Sequence, residues 1–173
     1  MTTLKDLTHD NHVKAEAHAF TKLLLSSEIP KGIYATFLAN QLLQYQTLEH
    51  CSKHLLDQIP GLARSELIMQ DLLDLDEPVI FFDTTAKYCN HIKSLSDHGL
   101  WAHVYVKHMG DLYGGQMIKN LIPGSGLMYQ FSDRKPLIDT LRTKLDISMA
   151  NEANTCFDLT IELFDRIADE YNL

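Results

Sequence analysis

Apolar residues recur at helical spacing along nearly the whole chain, and no window alternates strictly enough to argue for a sheet. A first helix is predicted from about Leu4 to Ser26, opened by Thr3-Leu4-Lys5-Asp6, which reads as a capping box with Asp6 reaching back to Thr3. A second follows Pro30 and runs to about Gln58, with Tyr34, Phe37, Leu38, Leu42, Tyr45, Leu48 and Leu55 at helical spacing, until Pro60-Gly61 stops it. A shorter helix covers Ala63 to Leu75 and is broken by Asp76-Glu77-Pro78. Asp83-Thr84-Thr85 opens a fourth that ends near His98-Gly99, and a fifth spans Leu100 to Ile122 before Pro123-Gly124-Ser125-Gly126. The last is predicted from Asp133 to Glu170, with Pro136 tolerated in its first turn. The pattern predicts a single all-α domain over residues 1–173, a multi-helix bundle of about six helices.

Composition adds limits rather than a function. With 173 residues, 45% hydrophobic and 22% charged, the chain is long enough to bury a real core. A net charge of −8 and the lack of any Lys/Arg run argue against a nucleic-acid partner. Cys51, Cys89 and Cys156 are scattered, so a disulfide framework is not expected and a reducing, cytoplasmic setting is. The polar start MTTLKDLTHDNH carries no apolar signal core, and no run approaches the ~20 apolar residues that span a bilayer.

The chemistry begins with Gly110-Asp111-Leu112-Tyr113-Gly114-Gly115-Gln116. Each mid-helix glycine costs about 0.8–1 kcal/mol relative to alanine. Three in six residues therefore imply either a close helix crossing or a backbone that a flat ligand approaches. Asp111, on a helix otherwise rich in apolar residues, needs a partner or a role; Lys107, four residues earlier, could simply pair with it.

Nine histidines offer metal ligands. His50 and His54 have i,i+4 spacing but no third ligand, and read as solvated. His12 and Glu16 share that spacing, so Glu16 can accept from one ring nitrogen of His12 and leave the other for a metal. No Glu-x-x-His occurs anywhere, which removes a di-iron carboxylate bundle.

Two segments carry a family resemblance. His12-Val13-Lys14-Ala15-Glu16-Ala17-His18-Ala19-Phe20 resembles the haem-ligand helix of the haem oxygenases, and Tyr105-Val106-Lys107-His108-Met109-Gly110-Asp111-Leu112-Tyr113-Gly114-Gly115-Gln116 resembles their distal helix. Tyr45 with Glu49, and Phe157 through Phe164, fit the same pattern, so the likeness covers nearly the whole chain.

The resemblance implies a haem held between the first helix and a kinked, glycine-rich distal helix. His12 would be the proximal iron ligand and Glu16 its partner. Gly110, Gly114 and Gly115 would let the distal helix lie against the haem face, while Asp111, with Tyr45, would order the water network that delivers protons to bound dioxygen. Lys5, Tyr105 and Arg142 match propionate-contacting positions, and Lys107 and Phe157 belong to the same haem-binding set. The implied activity is oxidative cleavage of haem, with O2 and electrons from an external donor such as a ferredoxin or a reductase, to biliverdin, carbon monoxide and ferrous iron. Haem is then both substrate and cofactor, a bilin reductase is a candidate downstream partner, and the chain is expected to act as a monomer. A haem carrier on the same fold, or a purely structural bundle, are the other classes of reading. Four positions depart from the family pattern: Lys107 replaces an arginine, His108 an aromatic, Tyr113 a small residue and Ile138 a propionate-binding lysine.

Overall fold

The computed structural model describes residues 1–173 and is all-α. Its helices are α1 (Leu4–Ala17), α2 (Ala19–Leu24), α3 (Lys31–Cys51), α4 (Lys53–Leu56), α5 (Ser65–Leu75), α6 (Asp83–Lys93), α7 (Asp97–Tyr113), α8 (Gly115–Ile118), α9 (Arg134–Arg142) and α10 (Ala150–Tyr171), with single 3-10 turns at Leu127–Tyr129 and Ile147–Met149. No helix is long and apolar enough to cross a membrane.

Four expected helices are divided: the one predicted over Leu100–Ile122 breaks at Gly114 and ends at Ile118, and the other three divide for local reasons. The first breaks at His18, whose backbone is extended at φ −64° and ψ 145°. Its Nδ1 accepts from Phe20 N–H and caps α2, while Nε2 lies 2.9 Å from Asp165 on α10. The second pauses at Ser52, whose hydroxyl donates to the Leu48 carbonyl at 2.6 Å. The last is two helices: after α9 the chain turns, Asp146 accepts from Ser148 N–H, and α10 begins at Ala150. The fourth and fifth helices also meet earlier than expected, because α6 ends at Lys93 and α7 already starts at Asp97. The Thr3–Asp6 capping box is present in both directions, and Asp133 caps α9 by accepting from Lys135 N–H.

α3 runs through the middle and is buried on almost every face. Around its first half Phe20, Tyr34, Phe37, Leu38, Leu163 and Ile167 form one apolar cluster. Around its end Leu48, Leu55, Tyr88, Trp101, Val104, Leu112 and Leu141 form a second. α10 packs against both α1 and α7 and so holds them on one scaffold. α1 itself buries only Leu4 and Thr8, leaving Leu7 and Val13 43% and 45% exposed. Polar ties seat it: Asn11 Nδ2 donates to the Asn154 and Asp158 side-chain oxygens, and Asn154 Nδ2 to the Leu7 carbonyl.

Candidate functional site

The glycine cluster has two sides. A Cβ on Gly110 would meet nothing within 4 Å, and one on Gly114 would meet only the Gly110 carbonyl oxygen, at 3.3 Å. These two glycines, one turn apart, leave bare backbone facing outward, flanked by exposed Tyr113 and Met117. Gly115 points the other way. A Cβ there would lie 2.4 Å from the Tyr129 ring, so its glycine is required by packing against the Leu127–Tyr129 turn rather than by the open face.

The helix is interrupted at Gly114. Carbonyls in the last turn of a helix lack intrahelical donors. Here Gln116 Nε2 donates to the Asp111 carbonyl at 3.2 Å, and Arg134 Nη1 to the Leu112 carbonyl at 2.8 Å. The open glycine face therefore rests on a break whose backbone groups are satisfied from the inner side.

Behind that face lies a polar cluster. Tyr45, from α3, donates its hydroxyl to Asp111 Oδ2 at 2.6 Å. Asp111 Oδ1 has no partner in the protein, and the residue keeps 7% exposure. Burial pushes the Asp111 carboxyl up from its ordinary 3.8 to about 7, against the opposing pull of the Tyr45 hydrogen bond and the Lys107 and Arg64 charges. The group is thus poised to hold or lose a proton near neutrality.

Lys107 does not hydrogen-bond Asp111. Its Nζ is buried, donates to Gln41 Oε1 (3.1 Å) and Gln44 Oε1 (2.8 Å), and sits over the Tyr45 and Tyr88 rings. It acts on Asp111 only through space. The ammonium is thus sealed behind the Asp111 cluster. His108 fills the space of the usual aromatic: its ring meets Tyr45 edge-on at 5.4 Å and Nδ1 bonds the Val104 carbonyl. Burial drives its pKa down to about 3, so it stays neutral. Ile138 lies in the apolar core, where a lysine head could not reach solvent.

The other predicted residues fall into two groups. On α1, His12 is half exposed, its Nε2 is 3.6 Å from Glu16 Oε1, and Phe157 of α10 meets its ring edge-on at 5.9 Å. Arg142, at the end of α9, donates to the Tyr113 hydroxyl at 2.9 Å, which brings an exposed cation to the rim of the glycine face. Lys5 is exposed in the first turn of α1, and Tyr105 is half-buried against the core; no hydrogen bond ties either to the rest of the set. Glu49 serves structure: its carboxylate accepts from Arg64 N–H, Ser65 N–H and the Ser65 hydroxyl, capping α5. Sequence reasoning missed Gln41, Gln44 and Arg64 as neighbours of the Asp111 cluster, and no local signal marks them, because they arrive from α3 and from the loop before α5.

The site is an open face, not an enclosed cavity. Two surface cavities, of about 370 and 430 Å³, are lined around Glu49–Ala63 and around Gln46–Cys51 with Lys93, and neither of these includes His12, Gly110 or Asp111.

Residues 1–133 match the family profile described as Heme oxygenase. The chain belongs to the haem oxygenase family. A curated heme oxygenase from Guillardia theta is 29% identical, over 97% of this chain and 86% of that protein. Among solved structures, heme oxygenase-1 of Synechocystis sp. PCC6803, crystallised in complex with heme, superposes with a TM-score of 0.85 at 22% identity, covering 96% of this chain and 91% of that one. Heme oxygenase-2 of Synechocystis sp. PCC 6803, in complex with heme and NO, gives 0.84 at 25% identity over 96% and 84%.

A haem oxygenase must grip a flat iron porphyrin, and the residues present suit one. His12 offers an accessible imidazole beside a carboxylate, Gly110 and Gly114 offer bare backbone, Leu7, Val13 and Met117 offer apolar surface, and Arg142 and Lys5 offer cations for propionates. In this haem oxygenase the only direct side-chain partner of the Asp111 carboxylate is Tyr45.

Proposed function

We propose that the chain binds haem between α1 and α7 and opens it, with dioxygen and electrons from an external donor, to biliverdin, carbon monoxide and ferrous iron. The bound haem supplies the iron that takes up dioxygen and the ring carbon that is oxidised. His12 would ligate the iron through one ring nitrogen while Glu16 accepts from the other and fixes the ring. Phe157 would brace the imidazole from α10. Gly110 and Gly114 would let backbone and ligand approach without a Cβ between them. Arg142, with Lys5 and Tyr105, would hold propionates by charge-assisted and phenolic hydrogen bonds.

Asp111 would carry the proton. Its Oδ2 is engaged by Tyr45, so the proton resides on Oδ1, the oxygen without a protein partner. Tyr45 anchors the carboxyl from behind, and neutral His108 and the apolar wall keep bulk water from levelling its pKa. The observation that carries this reading is the buried Tyr45–Asp111 pair directly behind a glycine face that has no side chain of its own.

The test is haem titration followed by aerobic reduction, with the product separated by chromatography. Wild type should yield biliverdin. His12→Ala should lose the His-ligated ferric spectrum, and imidazole should partly restore turnover. Asp111→Asn should bind haem but form little biliverdin. An unchanged spectrum in His12→Ala, or wild-type product yield in Asp111→Asn, removes the corresponding role.

A further inference from the structure

Three side chains that the haem reading leaves unused converge from three helices. His91 on α6 and His103 on α7 bring Nε2 to 2.5 and 2.8 Å from the same oxygen, Glu152 Oε1, on α10. Their ring centroids lie 5.5 Å apart, and one donor atom from each of the three residues lies within 4.8 Å of the others. The His103 side chain is sealed, whereas those of His91 and Glu152 keep 31% and 24% exposure. The cluster thus has a protein wall and a solvent-facing opening.

The wall also orients the ligands. Tyr88 Oη lies 3.0 Å from His103 Nδ1, edge-on to the ring, so Nδ1 is occupied and Nε2 is left pointing at the shared centre. A ligating histidine usually has such an outer partner, which sets the tautomer and holds the ring.

We propose that His91, His103 and Glu152 form a binding site for one divalent first-row transition ion, zinc or ferrous iron in class. Two imidazoles and one carboxylate leave coordination positions for water, a donor set shared by catalytic zinc sites and mononuclear ferrous centres. Imidazole donors disfavour magnesium and calcium, which take oxygen. Two imidazoles rest on one carboxylate oxygen, so the three donor atoms already face one centre. An ion at about 2.0–2.2 Å from each would part them by side-chain rotation at the two partly exposed members. The ion would link α6, α7 and α10, so its binding is read as stability as well as stoichiometry. Ferrous iron, the metal product of haem cleavage, belongs to the class this donor set accepts.

The test is equilibrium dialysis of zinc against the full-length chain, with and without haem, together with thermal melting. Wild type should take up one equivalent more than His91→Ala or Glu152→Gln and should show a zinc-dependent rise in Tm that both variants lack. Tyr88→Phe, which keeps all three donors but loses the orienting hydroxyl, should bind about 10- to 100-fold more weakly. Equal stoichiometry and equal Tm shift in wild type and both ligand variants overturn the proposal and leave the trio as an ion-paired strap. An anaerobic ferrous titration then identifies the source: the same loss in His91→Ala adds product iron to the occupants of the site, and a response to zinc alone confines it to the ambient ion.

Discussion

The Tyr45 hydroxyl donates to Asp111 Oδ2 at 2.6 Å across 66 residues of chain, the only direct hydrogen bond to that carboxylate. It joins the central helix α3 to the inner side of the glycine face and lowers the carboxyl pKa against a larger upward push from burial. Tyr45→Phe removes the donor and leaves a buried acceptor unpaired, at a cost of about 1–3 kcal/mol. Because the lost bond favoured the charged form, the carboxyl pKa should rise further. The midpoint of the pH profile for ring opening should move up in Tyr45→Phe, and an unmoved midpoint means that Tyr45 does not tune this proton.

Asp111 itself should set the alkaline side of activity. A carboxyl that titrates at about 7 is half protonated near neutrality, so the proton-dependent step should slow as pH rises through 7. For stability, between 3.8 and about 7 the folded chain holds a proton that the unfolded chain has released. The contribution of this group is therefore complete below 3.8 and lost as pH climbs to about 7. His108 works in the opposite direction: between about 3 and 6.5 the unfolded chain binds a proton that the folded chain refuses, so stability falls as pH drops through that window. Melting curves against pH should show Asp111→Asn gaining on wild type at pH 8 relative to pH 4, and His108→Phe gaining at pH 4 relative to pH 8.

The two sides of the glycine cluster should separate by mutation. Gly115→Ala drives a Cβ into Tyr129 and should cost about 1–3 kcal/mol by overpacking. Gly110→Ala meets open space and should stabilise the haem-free chain by up to about 1 kcal/mol through helix propensity, while weakening haem binding. Haem affinity in Gly110→Ala equal to wild type would show that the bare backbone there is not a contact surface.

Arg142→Ala should weaken or re-seat haem, since one charge-assisted hydrogen bond is worth about 1.5–3 kcal/mol. Tyr113→Phe separates that role from the Arg142–Tyr113 bond. If haem affinity falls only in Arg142→Ala, the guanidinium acts on the propionate. If both variants fall equally, Arg142 works by positioning Tyr113, and the Lys5→Ala, Arg142→Ala double variant should then keep the regiochemistry of ring opening.

What could be read from the chain was local. The Thr3–Asp6 box and the His12–Glu16 pair lie within four residues of their partners, and each stands in the structure as spacing rules require, whereas the helix expected to run to Ile122 ends at Ile118, before the Pro123–Gly126 segment. Lys107 shows where such rules fail. Spacing offers its i+4 neighbour Asp111 as one candidate partner, yet its ammonium goes to Gln41 and Gln44, 66 and 63 residues away, because α3 passes beneath this helix with two amide oxygens inward. The division at His18 was hidden for the same reason, since its cap is completed by Asp165 on α10. Gly115 looked equivalent to Gly110 in sequence and differs only in which neighbour it faces, a fact that belongs to Tyr129.

α1 is fastened by amide-to-oxygen ties and two buried side chains, where its neighbours are fastened by apolar clusters. An element with so little apolar burial opens at a smaller free-energy cost than the body of the molecule. Its amide protons should exchange with solvent long before those of α3, and proteases should cut there first. A ligand gripped by His12 would add its binding free energy to the closed state alone. With haem held by His12 as proposed, the ordering of the first seventeen residues and the occupancy of the face they border would be one equilibrium, and exchange protection along α1 would gauge how much of the enzyme carries its substrate.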